Sequence, residues 1–339
     1  MLTKEKLKEY AYESGADAVG IGSMDRFDGC PKEMDPRYIF PDAKSIIGLI
    51  FRIPRGYIRG IEEGTNFFQY PSMGYSSINE VVAPTTIYEI GKFIEDHGYE
   101  AAVYRNTGGR GAVSDMTGGD RDEESPELSG RAVRFSQSVA SDTPAPDVQM
   151  HFRLAAFICG LGEIGYSKML LTPDFGPLNR QAFIFTDAEI EPDPIYDGPE
   201  LCNKCMACAN TCPGQCIDKN DTIKVTVAGR EIEWGKIDEW SCYAYYTGVN
   251  KESNPFLRRD ALAGIPNGDK FICGQKAINY EEHKSIAEII SNSYPMPAVG
   301  YNPPKCGGCL RACYSSMEKR GVINNKFTNT FRKHKPWKL

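Results

Sequence analysis

The spacing of apolar positions along the first 105 residues changes period several times, and each change marks an element. Lys4–Glu13 alternates charged with apolar residues as an amphipathic helix does. Ala18-Val-Gly-Ile-Gly22 follows the Gly15 turn as a short strand, and Ile46–Phe51 follows the Pro41-Asp42 turn as a buried one. From Ile78 to about Asp96, the spacing of Val82, Ile87, Ile90 and Ile94 predicts a helix that stops at Gly98 and is divided at Pro84, whose ring cannot continue an interior turn. Glu100–Arg105 reads as the next strand. The alternation predicts an α/β (α+β) domain, a layered sheet with helices on its faces.

Residues 107–145 break the pattern, with two glycine-rich stretches around polar sequence and a charged run at Asp120–Glu124, and read as a surface excursion. A compact pattern resumes at Asp147 and runs to Asp187. Pro192–Glu200 is a Pro/Asp-rich connector, and a cysteine-rich part begins at Cys202. The expected organisation is a domain over 1–195, a second over 196–320 and a basic tail over 321–339. The tail, as a solvated terminus, is the default reading.

The chain has 339 residues, 41% of them hydrophobic and 25% charged, which is ordinary for a globular protein and excludes a disordered or fibrous one. Lys+Arg 39 against Asp+Glu 45 gives a net charge of −6, which argues against broad nucleic-acid binding. The longest apolar run, Ile46–Phe51, is far too short for a bilayer span, and the first residues lack the features of an export signal. A cytoplasmic protein with no membrane partner is expected.

Twelve cysteines change the picture. Cys202-Asn-Lys-Cys205-Met-Ala-Cys208-Ala-Asn-Thr-Cys212-Pro213 is C-x2-C-x2-C-x3-C-P, the bacterial ferredoxin run. Two-residue gaps let one loop offer three thiolates to three corners of a cubane, while the fourth cysteine turns toward another cluster. Cys306-Gly-Gly-Cys309-Leu-Arg-Ala-Cys313 is a second run, one cysteine short. Cys202, Cys205, Cys208 and Cys313 then make one 4Fe–4S site. Cys212, Cys306 and Cys309 need one more thiolate, from Cys216, Cys242 or Cys273; Cys242 is preferred, and Cys216 lies awkwardly close to Cys212. A zinc site from Cys202, Cys205, Cys306 and Cys309 would leave three thiols idle at ferredoxin spacing. Cys30 and Cys159 read as small buried hydrophobes.

Gly160-Leu-Gly162-Glu-Ile-Gly165 matches the dinucleotide pattern G-x-G-x-x-G, but its context does not. His151–Cys159 suits a helix ending at Gly160 as well as a strand, and Pro173, Gly176 and Pro177 interrupt any helix after the motif. The glycines imply close backbone approach to something flat or bulky instead.

The sequence resembles the superfamily of cobalamin-dependent reductive dehalogenases and epoxyqueuosine reductases. The residues that carry the resemblance are Ser14–Ile21, Pro41–Ile47, Gly160–Gly165, Leu171-Thr-Pro-Asp-Phe-Gly-Pro177 with Arg180, Phe185–Asp187 and both cysteine runs. It implies a nitroreductase-like corrinoid-binding domain with a ferredoxin-like domain of two 4Fe–4S clusters, and its isolated upstream cysteine supports Cys242. It also implies that Gly160, Leu161, Gly162, Gly165, Thr172, Pro173, Phe175, Gly176 and Pro177 line the corrinoid. For the proton donor it offers Asp147, or a tyrosine, Tyr104 or Tyr166, assisted by Arg180. Asp147 is equally well read as a helix N-cap. Tyr314 stands where the family has a proline after Cys313.

The expected activity is oxygen-sensitive reductive cleavage of a carbon–heteroatom bond in a small-molecule substrate, with carbon–halogen favoured and a ferredoxin or flavodoxin as electron donor. Two alternatives stand beside it: an epoxyqueuosine reductase acting on tRNA, and a two-cluster electron-transfer adaptor. Tyr243, Tyr245 and Tyr246, around Cys242, read as packing over a cluster or as walls of a substrate pocket.

Overall fold

The computed structural model describes residues 2–59, 69–106, 139, 148–249, 257–258, 260–272, 279, 282, 285, 286, 289 and 306–331. The sequence-predicted 107–145 excursion falls almost wholly outside these residues, as do Asp147, Cys273 and the last eight residues of the tail.

A four-stranded, fully antiparallel sheet organises the N-terminal part. Its strands are β1 (Ala18–Ser23), β2 (Ser45–Arg52), β3 (Ala101–Tyr104) and β6 (Asn179–Thr186), in the order β1-β2-β6-β3. Side chains alternate across it. Ile47, Leu49 and Phe51 enter one core with Ala182 and Ile184, while Ile46 and Ile50 enter another with Phe183 and Phe185. Both faces are therefore covered, and β2 reads as an unbroken apolar run for that reason.

The first face is covered by α1 (Lys4–Glu13) and α2 (Ala83–Glu95), which meet where Tyr10 stacks on Phe93 at 4.2 Å. Pro84 is the second residue of α2, at the point where the helical path changes type. The chain before it, Tyr70–Val82, is a π-helix that continues into α2, so the helix begins earlier than the apolar spacing predicts. The second face is covered by α3 (Phe152–Ile158). Gly20 and Gly48 allow that approach: a Cβ on Gly20 would stand 2.2 Å from the Cys159 carbonyl, and one on Gly48 3.0 Å from its sulfur.

After α3 the chain forms a two-strand hairpin, β4 (Glu163–Ile164) with β5 (Leu170–Leu171). A helix before the G-x-G-x-x-G segment and a hairpin after it is the reverse of a dinucleotide-binding unit. The connector is pinned by Asp193, which pairs with Lys4 at 2.9 Å and Lys8 at 2.6 Å and accepts from the Ile21 N–H at 2.8 Å.

The cysteine-rich part adds α4 (Ala207–Thr211), the hairpin β7 (Ile217–Val227) with β8 (Arg230–Ile237), α5 (Glu239–Thr247), α6 (Gly268–Ile272) and α7 (Gly308–Arg320). The β7–β8 hairpin fills the stretch between Cys212 and Cys242. Its tip, Ala228-Gly229, has both residues at positive φ, the turn that matches strand twist. Leu310, Tyr314 and Met317 of α7 join the core of the first sheet face. Among the described residues no helix is long and apolar enough to cross a membrane.

Candidate functional site

Local backbone geometry gathers the first group of thiols. Lys204 and Met206 adopt left-handed φ of +51° and +60°, curling the loop before α4. The Tyr166 N–H donates to Cys202 Sγ at 3.2 Å, and the Glu163 carboxylate accepts from the Cys202 N–H. α4 packs on α7, which brings Cys313 to the same place. Cys202, Cys205, Cys208 and Cys313 line one small cavity with Ser316 and Arg320. Among the described residues no three His, Cys, Asp or Glu side chains converge as a single metal ion requires; these four cysteines line a shared cavity instead.

The second group forms at the other end of α4. Cys212 caps that helix, Gly307 takes a φ of +62° to start α7 after Cys306, and Cys309 lies in the first turn of α7. Cys242, on α5, has Cys212 and Cys306 as electrostatic neighbours, and Cys309 faces Cys306, Cys242 and Cys212, with Cys208 of the first group beyond them. Cys216 is buried beside Cys212.

Burial pushes the thiols of Cys208 and Cys306 up to about 11, and those of Cys309 and Cys313 further above the ordinary range. Thiolates there need a local positive charge, and an iron–sulfur cluster provides one. The donor set therefore fits such clusters.

A buried polar cluster adjoins the second group. Arg180, opening β6, donates from Nε to Asn79 Oδ1 at 3.0 Å and lies 3.8 Å over the Tyr75 ring. Tyr75 is 5.9 Å from Tyr246, centroid to centroid, and Tyr70 and Tyr246 share the field of Arg180. Burial pushes the Tyr70 phenol up to about 12, and burial together with Tyr75 and Tyr70 holds Tyr246 well above the ordinary tyrosine value. Arg153, on α3, has both Arg180 and the thiols of Cys309 and Cys242 as electrostatic neighbours. Among the described residues the buried Asn79 Nδ2 has no hydrogen-bond partner, an orphaned donor beside this cluster.

Of the sequence-predicted acid–base residues among the described ones, Arg180 lies in this cluster and Tyr104 and Tyr166 lie elsewhere. Tyr166 donates its hydroxyl to the Asp218 carbonyl at 2.9 Å and packs beside Cys208. Tyr104 packs among Phe152 and Phe185, at 5.4 and 5.8 Å. Asp147 lies outside the described residues. The three tyrosines around Cys242 part company: Tyr245 is buried with its hydroxyl on the Phe271 carbonyl at 2.7 Å, Tyr243 is exposed, and Tyr246 joins Arg180. Tyr70, Tyr75, Asn79 and Arg153 were not anticipated. Tyr70 and Tyr75 are five residues apart, a spacing that shares a face in a π-helix but not in an α-helix.

The glycine segment is filled by its own chain. A Cβ on Gly160 would meet the Pro194 carbonyl at 2.2 Å, one on Gly162 the Leu171 carbonyl at 2.0 Å, and one on Gly165 the Leu171 side chain at 2.9 Å; Leu161 is buried against Gly20 and Gly48. In the following loop Thr172 pairs with Gly176, Pro173 accepts from the Asn324 N–H, and Gly176 packs on Met317. Pro177 is buried, and Phe175 lines a cavity of about 310 Å³ with Arg55 and Phe327.

No family model matches the sequence. A tetrachloroethene reductive dehalogenase of Desulfitobacterium hafniense is 41% identical over 68 residues, 20% of this chain and 12% of that one. One of Sulfurospirillum multivorans is 34% identical over 155 residues, 38% of this chain and 30% of that one. The matched parts thus span well under half of these curated relatives. Among solved structures, a catabolic reductive dehalogenase aligns with 93% of this chain and 36% of its own at 17% identity and TM-score 0.48. An epoxyqueuosine reductase bound to a tRNA stem loop aligns with 94% and 82% at 13% identity and TM-score 0.46.

Proposed function

We propose that this chain, a relative of the reductive dehalogenases, is an iron–sulfur and corrinoid-dependent oxidoreductase that cleaves a carbon–heteroatom bond of a small molecule, carbon–halogen by preference. One observation carries the reading: eight cysteines fall into two adjacent groups of four, and a buried arginine–tyrosine cluster adjoins the second group.

Cys202, Cys205, Cys208 and Cys313 would hold one 4Fe–4S cluster and Cys212, Cys242, Cys306 and Cys309 the other, supplying single electrons at low potential. A corrinoid, when bound, supplies the strong reductant that breaks the carbon–heteroatom bond. The orphaned Asn79 amide beside Arg180 is the feature of this chain that suits a polar group of such a ligand or of the substrate. The rest of its wall is assigned to Thr172, Pro173, Phe175, Gly176 and Pro177 by resemblance.

The chain's own residues handle the proton. Tyr246 keeps its proton on Oη, while Arg180 lies over the Tyr75 ring beside it and its charge favours the phenolate left behind when the proton is donated. Arg180 is thus kept from the sequence reading, with Tyr75 and Tyr246 in place of Tyr104 and Tyr166. Tyr70 and Asn79 are buried and the other members half-buried, which limits the access of water to the proton.

The test is anaerobic reconstitution with iron, sulfide and hydroxocobalamin, followed by desalting and assay of halide release from a chlorinated alkene with a reduced viologen. Retained base-off corrinoid and halide release are expected. Loss of all corrinoid on desalting would favour the electron-transfer adaptor, and reduction of epoxyqueuosine tRNA without halide release would favour the tRNA enzyme.

A further inference from the structure

Cys216 belongs to neither group of four, yet the fold holds it firmly against one of the assigned ligands. Pro213 offers no N–H, and Gln215, at a left-handed φ of +49°, donates its N–H to the Cys212 carbonyl at 3.1 Å, doubling the chain back. The Cys216 N–H then donates to Cys212 Sγ at 3.3 Å, and the two thiols are themselves hydrogen-bonded. From the far side the Asp238 N–H donates to the Cys216 carbonyl at 2.9 Å. Gly214 leaves the space this requires: a Cβ there would stand 2.7 Å from Cys216 Sγ and 2.4 Å from the Tyr245 ring. Cys216 itself is 4% exposed. Two sulfurs in hydrogen-bond contact are too close to occupy separate corners of one cubane, so the thiol is placed as a donor to a ligand and not as a ligand.

We propose that Cys216 is a positioning residue that raises the reduction potential of the cluster held by Cys212, Cys242, Cys306 and Cys309, by hydrogen-bonding to the Cys212 sulfur through its thiol and its amide. Reduction adds negative charge that spreads onto the thiolate sulfurs, and a donor aimed at one of them stabilises the reduced state more than the oxidised one. The inference rests on the two-cluster reading above and adds to it a residue that sets the driving force between the clusters.

The experiment uses the full chain, reconstituted anaerobically, with iron analysis and an EPR-monitored redox titration of wild type, Cys216→Ala and Cys216→Ser. Cys216→Val, close in volume and likewise lacking the side-chain donor while keeping the amide, serves if the alanine variant does not fold. About eight iron per chain are expected in all of them. In the alanine or valine variant one of the two midpoints moves to lower potential while the other stays fixed, the shift corresponding to up to a tenfold change in the reduction equilibrium, about 59 mV for one electron. Serine keeps a donor and lies nearer to wild type. Loss of half the iron in the alanine or valine variant would make Cys216 a ligand and overturn the proposal, as would full iron with both midpoints unmoved. Wild-type protein without iron would overturn the two-cluster reading itself, and this is seen before any variant is compared.

Discussion

Cys309 and Cys313 stand one turn apart on α7, yet they face different groups of thiols. Cys309 lies with Cys306, Cys242 and Cys212, and Cys313 with Cys202, Cys205 and Cys208. One helix thereby couples the two groups and fixes their separation, because side chains four residues apart share a face. Replacing Cys313 or Cys242 with serine should each lower bound iron from about eight to about four per chain, with the loss assigned to a different EPR signal in each case. Cys273→Ser should leave both signals intact.

The stacking of Arg180 on Tyr75 predicts an effect on turnover without an effect on cofactor content. Tyr75→Phe or Tyr246→Phe, whichever removes the donor, should reduce kcat by about 10²–10⁴-fold, and Arg180→Gln should cost a similar factor. Iron content should be unchanged in all three. Burial with Tyr75 and Tyr70 raises the Tyr246 phenol well above 10, so it stays protonated through neutral and mildly alkaline pH. A pH–kcat profile should be flat across that range and decline only above the ordinary tyrosine value.

His151 should make the fold acid-sensitive. It caps α3 by accepting from the Leu154 N–H at 3.3 Å, and burial, Arg153 and Lys168 lower its pKa from 6.5 to about 4. The unfolded chain binds the proton more readily, so this contribution is complete above pH 6.5 and is lost as the pH falls toward 4. The loss amounts to about 3 kcal/mol at most. Chemical denaturation between pH 7 and pH 4.5 should show it, and His151→Asn, which keeps a capping acceptor, should flatten the dependence.

The glycines of the 160–165 segment are predicted to be intolerant for a packing reason. Gly162→Ala would place a Cβ 2.0 Å from the Leu171 carbonyl at a φ of +153°, and should cost at least about 3 kcal/mol in urea unfolding. Gly229→Ala, at the hairpin tip with nothing within 4 Å of the added atom, should cost only about 1 kcal/mol for its φ of +73°.

Much of this was legible in the residues. Helix α1, strands β1 and β2 and the stop at Gly98 follow from apolar period and turn residues, and the thiol grouping follows from ferredoxin spacing. The arginine–tyrosine cluster was not legible, for two reasons. Tyr70 and Tyr75 lie on a π-helix, whose period no α-helical pattern reveals. Tyr246 meets Arg180 only through tertiary packing that brings α5 to β6, and Tyr166, which the resemblance offered, is instead tied to the Asp218 carbonyl. The long β7–β8 hairpin was also unforeseen, although the alternation Ile223-Lys-Val-Thr-Val227 before Ala228-Gly229 carries a strand-and-turn signal.

The most direct test of the account is iron and acid-labile sulfide measured on the anaerobically purified full chain, with EPR of the dithionite-reduced sample. The account predicts about eight of each per chain and two interacting reduced-cluster signals. A colourless protein carrying stoichiometric zinc would contradict it.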